Sequence, residues 1–166
     1  MIATRAPKVV VDKVPLVTFR VGEQQYAADV HQVERVLPWE TPRAIPNVPA
    51  WLDGVIEFRA RVVPVIDLRT RFELPVAPDR TRQRIVVFGV GAERIAAAVD
   101  AVDDVRAVEK PALEDPPELF RGLARQYLRA LVRVGDAVIV VLDIAQLLNA
   151  RERIVLDQAV AEAEHG

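Results

Sequence analysis

The segment FRVGEQQYAADVHQVERV, beginning at Phe19, reappears as FGVGAERIAAAVDAVDDV from Phe88, at a constant spacing of 69 positions and without a gap. Phe19 matches Phe88, Gly22 matches Gly91, Tyr26 matches Ile95, and Val30, Val33 and Val36 match Val99, Val102 and Val105. Further on, VVPVIDL at 62–68 parallels VIVVLDI at 138–144, where the spacing has grown to 76 because the intervening Pro-rich loop is longer in the second copy. Valine-rich strands can match once by chance, but two matches in the same order mark an internal duplication. A copy of about 65 residues buries only a marginal core, so the two copies are expected to pack together.

Each copy reads as a strand, a glycine-containing turn, a second strand, a short helical turn, a Pro-rich loop and two further strands. The turns Val21-Gly22-Glu23-Gln24 and Val90-Gly91-Ala92-Glu93 lie between apolar runs, which is the hairpin signal. Closely spaced strands without long helices between them favour small closed or half-closed barrels, because closure removes exposed edges. With 51% hydrophobic but only 5% aromatic residues, valine, isoleucine, leucine and alanine must fill the interior. One helix is predicted, from Ala145 to about Glu164, with Leu147, Leu148, Ile154, Val155, Ala159 and Val160 on a buried face and a frayed end over Glu162–Gly166. The expected organisation is a flexible segment 1–13, a duplicated domain 14–149 with subdomains 14–78 and 82–149, and a C-terminal helix and tail over 150–166.

Little in the chain reads as catalysis. It has no cysteine, which excludes disulfides, thiolate nucleophiles and cysteine-ligated metal. Asp67, Asp100 and Asp143 each follow a strand, where aspartate ends the strand and opens a turn by accepting from nearby backbone N–H groups. A small barrel enzyme built on Asp67 and Asp143 would need both carboxylates in one cleft, against their expected placement in separate barrels. Asp103-Asp104 and Glu114-Asp115 lack calcium-loop spacing, and His31 has no serine or cysteine motif beside it. No phosphate-binding glycine loop and no GxSxG is present, so no catalytic residue, cofactor or metal is assigned. A net charge of −2 and a pI of about 5.8 give no global pull toward nucleic acid, and RTRQR at 80–84 reads as a solvated loop. No apolar run approaches the roughly 18 residues of a membrane span, so no direct membrane insertion and a cytoplasmic location are expected. Trp39 and Trp51, both in the Pro-rich loop, read as plugs for a barrel end or as anchors for a partner, plugging being favoured.

The most distinctive stretch is PNVPAWLDGVIEFRARVVPVIDLRTRFEL, Pro46 to Leu74, in which two apolar strands flank the charged patch Glu57-Phe58-Arg59-Ala60-Arg61. An arginine between core strands must find a partner or point outward. Together with FxxGxxxYAxDVxxVxxV before it, and RIVVFGVGxxxIAAAVDAVDDV and VIVVLDI after it, this stretch resembles the CheW-like domain of bacterial chemosensory systems, from about Leu16 to Leu148. No histidine-phosphotransfer, ATPase or receiver segment is recognisable, so the chain resembles the stand-alone adaptor of that family.

The resemblance implies an all-β fold of two SH3-like five-stranded barrels side by side, with short helical turns and a C-terminal helix. It implies a non-enzymatic adaptor coupling the cytoplasmic helical tip of a chemoreceptor to the regulatory domain of a CheA-type histidine kinase in a receptor array. Other CheW-like domains are further expected partners through like-to-like barrel pairing. The receptor hairpin would lie in the groove between the barrels, with Val33, Gly54, Glu57, Arg59, Ala60, Ile95, Ala96 and Val102 as candidate contacts. The chain departs from the family where asparagine and glycine are usual, at Glu57 and Ala60, and has Arg35 where a carboxylate is usual. Arg59 is therefore expected to pair with Glu57 or with Glu34. The departures also suit a divergent member that keeps only one of the two interfaces and serves a specialised pathway.

Overall fold

The computed structural model describes residues 12–116 and 126–165. Its strands are β1 (Lys13–Val21), β2 (Gln24–Asp29), β3 (Val33–Pro38), β4 (Leu52–Phe58), β5 (Arg61–Asp67), β6 (Arg84–Val90), β7 (Glu93–Val99), β8 (Ala101–Glu109), β9 (Leu113–Glu114), β10 (Leu128–Val134) and β11 (Ala137–Leu142). Among the described residues the α-helices bounded at both ends are α1 (Leu68–Arg71) and α2 (Ala150–His165). The chain is mainly β, as its sequence predicts. Both expected glycine turns form two-residue hairpins, Val21 pairing with Gln24 and Val90 with Glu93. Gly22 and Gly91 open those turns with φ of 63° and 61°, a conformation that glycine adopts without a Cβ penalty.

The strands form two sheets, in the orders β8-β1-β2-β11-β10-β9 and β3-β6-β7-β5-β4. Under the repeat, β1 corresponds to β6, β2 to β7, β3 to β8, β4 to β10 and β5 to β11. Each sheet thus takes its first hairpin from one copy and its other three long strands from the other copy. The copies meet at two ladders in each sheet: antiparallel β1–β8 and parallel β2–β11, through Tyr26 and Val140, in the first, and antiparallel β3–β6 and parallel β5–β7, through Val65 and Ala96, in the second. The sheets therefore do not follow the expected division at 78 and 82. The second is continuous in sequence, from β3 to β7, while the first is assembled from chain on either side of it. The cause lies in the links after each first hairpin, the 3-10 turn Val30–Gln32 and the single residue Asp100, which pass the chain to the opposite sheet. The expected flexible segment 1–13 lies outside the described residues up to position 11.

Three apolar clusters follow from this exchange. One, including Phe19, Ile66, Phe88, Ile95 and Leu142, draws on both sheets and fills the space between them. Ile56, Val63, Ile85 and Ala96 form a core belonging to the second sheet, and Leu16, Ala27, Val132 and Ile139 one belonging to the first. The alternation along β7 makes this possible: Ile95, Ala97 and Val99 face the shared core, while Ala96 and Ala98 face the sheet's own. Two sheets, each with a core of its own, fit the SH3-like pair implied by the resemblance.

Asp100 is the pin of the exchange. Its backbone N–H donates to Arg20 O at 2.8 Å, and its carboxylate accepts from Gly22 N at 2.7 Å, from Arg69 Nε at 2.9 and 3.0 Å, and from Gln83 Nε2 at 3.1 Å. Burial alone would raise the Asp100 pKa, but the hydrogen bonds from Arg69, Gly22 and Gln83 outweigh it and hold the carboxyl below its ordinary value. A folded pKa below the unfolded one, about 3.9, gives stability that is complete above that value and lost as the pH falls through the folded pKa. Acid titration of the unfolding midpoint is expected to fall steeply below about pH 4 in the native chain and more gently in Asp100→Asn. An equally steep fall in the variant would remove Asp100 from this role. Asp67 and Asp143 behave as ordinary turn openers: Asp67 accepts from Arg69 N and Asp143 from Ala145 N, both at 3.2 Å, at the ends of strands in different sheets.

The C-terminal helix differs from the expectation. Ile144–Gln146 is a separate 3-10 turn, and α2 begins only at Ala150. A reciprocal capping box sets that start: Asn149 Oδ1 accepts from Glu152 N at 2.8 Å, and Glu152 Oε1 accepts from Asn149 N at 2.9 Å. With the phase so fixed, Leu156 and Ala159 turn inward, while Ile154 and Val155, expected on the buried face, are exposed. The helix also runs through the segment expected to fray, as far as His165. None of the helices in the described residues is long and apolar enough to cross a membrane.

Candidate functional site

Arg59 and Ala60 are the two central residues of the β4–β5 hairpin, closed by the Phe58–Arg61 pair. Both have positive φ, 51° and 60°, as the right-handed twist of a two-residue turn requires. This turn explains Arg59. The side chain is carried outward at the tip, and its guanidinium stacks over the Phe58 ring at 5.0 Å. Among the ion pairs of the described residues Arg59 has none, which overturns the expected pairing with Glu57 or Glu34. Glu34 is taken instead by Arg94, at 2.6 Å from Nε to Oε2, and the Arg94 guanidinium lies 5.4 Å from the Phe58 ring. Phe58 therefore carries two cations, one held by a carboxylate and one exposed. Glu57 faces solvent on β4 opposite Val62.

The turn also exposes a cost. A left-handed conformation at a residue with a Cβ costs about 1–2 kcal/mol relative to glycine. Ala60→Gly is expected to raise stability by about 1 kcal/mol and the melting temperature by roughly 2–4 °C. An unchanged or lower melting temperature would contradict the turn geometry.

Two grooves flank this hairpin. One, of about 570 Å³, is lined by Glu34, Arg94 and Ile95, by Val62 and Pro64 of β5, and by the inward side of α2. The other, of about 600 Å³, is lined by Glu57, Ala60, Val62 and Arg43 and by the end of α2 at Ala163 and Glu164. Of the eight candidate contacts, Ile95, Glu57 and Ala60 thus line connected ground, with Arg59 at the hairpin tip beside them. The others lie elsewhere. Ala96 is fully buried in the second sheet's own core, and Val33 packs half-buried on the shared core. Val102 does the same while lining a separate cleft of about 300 Å³ with Val36, Arg84 and Ala101, where the two sheets meet. Elsewhere between the sheets the shared core fills the space.

Gly54 has a backbone role. Its φ is 142°, and a Cβ built there would lie 2.2 Å from Arg43 O. That carbonyl accepts from Val55 N at 2.9 Å, and Arg43 N donates to Val55 O at 2.8 Å, so the loop between β3 and β4 is pinned against Gly54.

The side chains around Trp39 and Trp51 were not legible from sequence pattern. Arg80, expected in a solvated loop, makes a fork-on-fork pair with Asp53, Nη1 to Oδ1 at 2.6 Å and Nη2 to Oδ2 at 2.5 Å, and stacks on Trp39 at 4.7 Å. Arg71, buried on α1, donates to Leu147 O at 3.0 Å and to Glu152 Oε1 at 2.7 Å, and its guanidinium lies 4.4 Å from Trp51 and 5.3 Å from Tyr127. Both tryptophans are half-buried against core clusters, each with an arginine laid on it. The available signal was the presence of two tryptophans and two nearby arginines in a chain poor in aromatics. No group of three or more histidine, aspartate or glutamate side chains that could hold a metal occurs among the described residues.

Comparison with known proteins agrees with this architecture. A family model described as the CheW-like domain matches residues 15–152. The chemotaxis protein CheW of Treponema pallidum is 31% identical over 153 residues, covering 89% of this chain and 90% of that one. The chemotaxis protein CheW of Bacillus subtilis is 29% identical over 146 residues, with 87% and 94% covered. In fold, the chain is similar to the crystal structure of the scaffolding protein TtCheW from Thermoanaerobacter tengcongensis, with a TM-score of 0.77 and 24% identity over 85% of this chain and 97% of that one. The chain belongs to the CheW-like domain family.

Proposed function

We propose that this protein couples chemoreceptors to a CheA-type histidine kinase, holding the receptor's helical tip on one face and the kinase regulatory domain on another, and that it is thereby recruited to receptor arrays in the cytoplasm. The observation that carries the receptor half is the pair of grooves beside the β4–β5 hairpin, lined by Ile95, Glu57 and Ala60 and overlooked by the exposed Arg59. Walls that mix apolar side chains with charges of both signs, Glu34 and Arg94 in one groove and Glu57, Arg43 and Glu164 in the other, suit an amphipathic helix whose apolar stripe and charged flanks both find counterparts. Among the described residues Arg59 has no carboxylate partner, so an acidic residue on the receptor helix can pair with it without breaking an ion pair among them. The kinase half, and pairing with other CheW-like domains, rest on the expectation that sheet ends of like modules pack together.

The test measures binding of the full chain to a chemoreceptor tip fragment and, separately, to a kinase regulatory domain. Arg59→Ala is expected to weaken the receptor fragment by about fivefold or more and to leave both kinase binding and stability, within about 0.5 kcal/mol, unchanged. Equal loss for both partners, or none, would count against this face. Binding of only one partner by the native chain would favour the divergent member with a single surviving interface.

A further inference from the structure

The two grooves are halves of one trough. Both are lined by Val62 on β5 and by Glu164 on α2, so they open on either side of the helix's last turns. α2 packs along β5 and crosses this surface. The trough is therefore already shaped for a helix, because one lies in it.

The helix is fastened unevenly. Its first turns are held by the Asn149–Glu152 capping box, by the 2.7 Å Arg71–Glu152 ion pair and by the burial of Leu156. Beyond Leu156 the inward residues are Ala159, Val160 and Ala163, of which only Ala159 is fully buried. Alanine removes little apolar area from water, so this half gains little from its contacts. Its one side-chain hydrogen bond to the rest of the protein among the described residues is Arg43 Nη2 to Ala163 O at 3.1 Å, from an arginine that is itself exposed. The larger apolar residues Ile154 and Val155 precede this half of the helix and are exposed, so they do not fasten its end.

We propose that the last two turns of α2, Ala159 to His165, act as a built-in strap that occupies the middle of the trough in the unbound protein and is displaced by the partner helix. The proposal rests on the receptor reading above and adds its regulation. With the strap in place, each groove offers ground for only part of a helix. With it lifted, Ile95 and Glu34 at one end join Glu57 and Ala60 at the other. Apparent affinity is then reduced by the fraction of molecules whose strap is closed, and anything that loosens the strap strengthens receptor binding without adding a contact.

The test uses the full chain carrying Ala159→Gly and Ala163→Gly, which lower helix propensity in the strap and leave α2's anchored half intact. Binding of a chemoreceptor tip fragment is expected to tighten about fivefold to thirtyfold, with kinase binding unchanged. Arg43→Ala, which removes the latch hydrogen bond together with one side chain of the groove wall, should still tighten it about two- to tenfold. Hydrogen exchange in the native chain should be faster in the strap amides than around Leu156, and faster still with the fragment bound. Equal or weaker fragment binding by both variants would overturn the strap, making this end of α2 a wall that contacts the receptor. If the native chain and both variants fail to bind the fragment while still binding the kinase domain, the receptor reading itself fails, and the strap falls with it.

Discussion

Replacing Gly54 with alanine is expected to cost about 3 kcal/mol or more, and to lower the melting temperature by roughly 6–12 °C. Two costs add. At a φ of 142° the backbone is in a region that residues with a Cβ rarely adopt. The new Cβ would also sit 2.2 Å from the Arg43 carbonyl oxygen and 2.7 Å from its carbon. Backbone atoms cannot rotate aside as a flexible side chain can, so the Arg43–Val55 bridge must open. Opening it releases the loop before β4 and disturbs the strand that carries Glu57 toward the hairpin tip. The measurement is thermal unfolding alongside binding of both partners. Loss of stability with parallel loss of both partners is the expected result. A melting temperature within 2 °C of native, with only receptor binding lost, would make Gly54 a contact residue after all.

The second large effect is at Arg71. Arg71→Ala is expected to destabilise the chain by about 3–5 kcal/mol, read from urea unfolding. The guanidinium is almost wholly buried, between the Trp51 and Tyr127 rings and against Glu152 and the Leu147 carbonyl. Its removal leaves a cavity between two aromatics and strips the helix N-terminus of its tie to α1. It also leaves Glu152, whose carboxyl is held below its ordinary pKa, without its main counter-charge. Arg20, paired with Asp103 at 3.3 Å but with 62% of its side chain exposed, provides the contrast. Arg20→Ala should cost no more than about 0.5–1 kcal/mol, since exposed pairs are screened and lose side-chain freedom on pairing. Similar costs for both substitutions would mean that the Arg71 cluster is not the brace the geometry indicates.

The sequence showed the duplication, the two glycine hairpins and the mainly β content, because these rest on short-range pattern: period-two apolar strands and turn residues at fixed offsets. It could not show which copy each strand joins. Ala27 pairs with Val140's neighbour Val141 and Val65 with Ala96, and nothing local in those valines and alanines encodes the choice. The start of α2 was misplaced because Leu147 and Leu148 extend its apolar spacing backward, whereas Asn149 and Glu152 set the boundary by hydrogen bonding. The motif marked the stretch that folds into the β4–β5 hairpin, and with it the position of Glu57 and Ala60 beside a groove. The partner of Arg59 was misjudged because pairing was argued from charge, while the turn at Arg59 and Ala60 sets where the side chain goes. Arg94, which took Glu34, carried no sequence signal at all; it needed β3 and β7 on opposite sides of β6.

The exchange of strands between copies also bears on the order in which the protein can be completed during synthesis. The sheet built from β3 to β7 has all its members once Val99 has emerged from the ribosome. The first hairpin, although made earlier, must wait for a parallel neighbour 114 positions further on, from Ala27 to Val141. The first hairpin is thus finished later than the sheet made after it, with one flank of β2 open until β11 arrives. For an assembly protein this ordering has a use: the surface beside the β4–β5 hairpin is formed early, but α2, which crosses it, is translated only after β11.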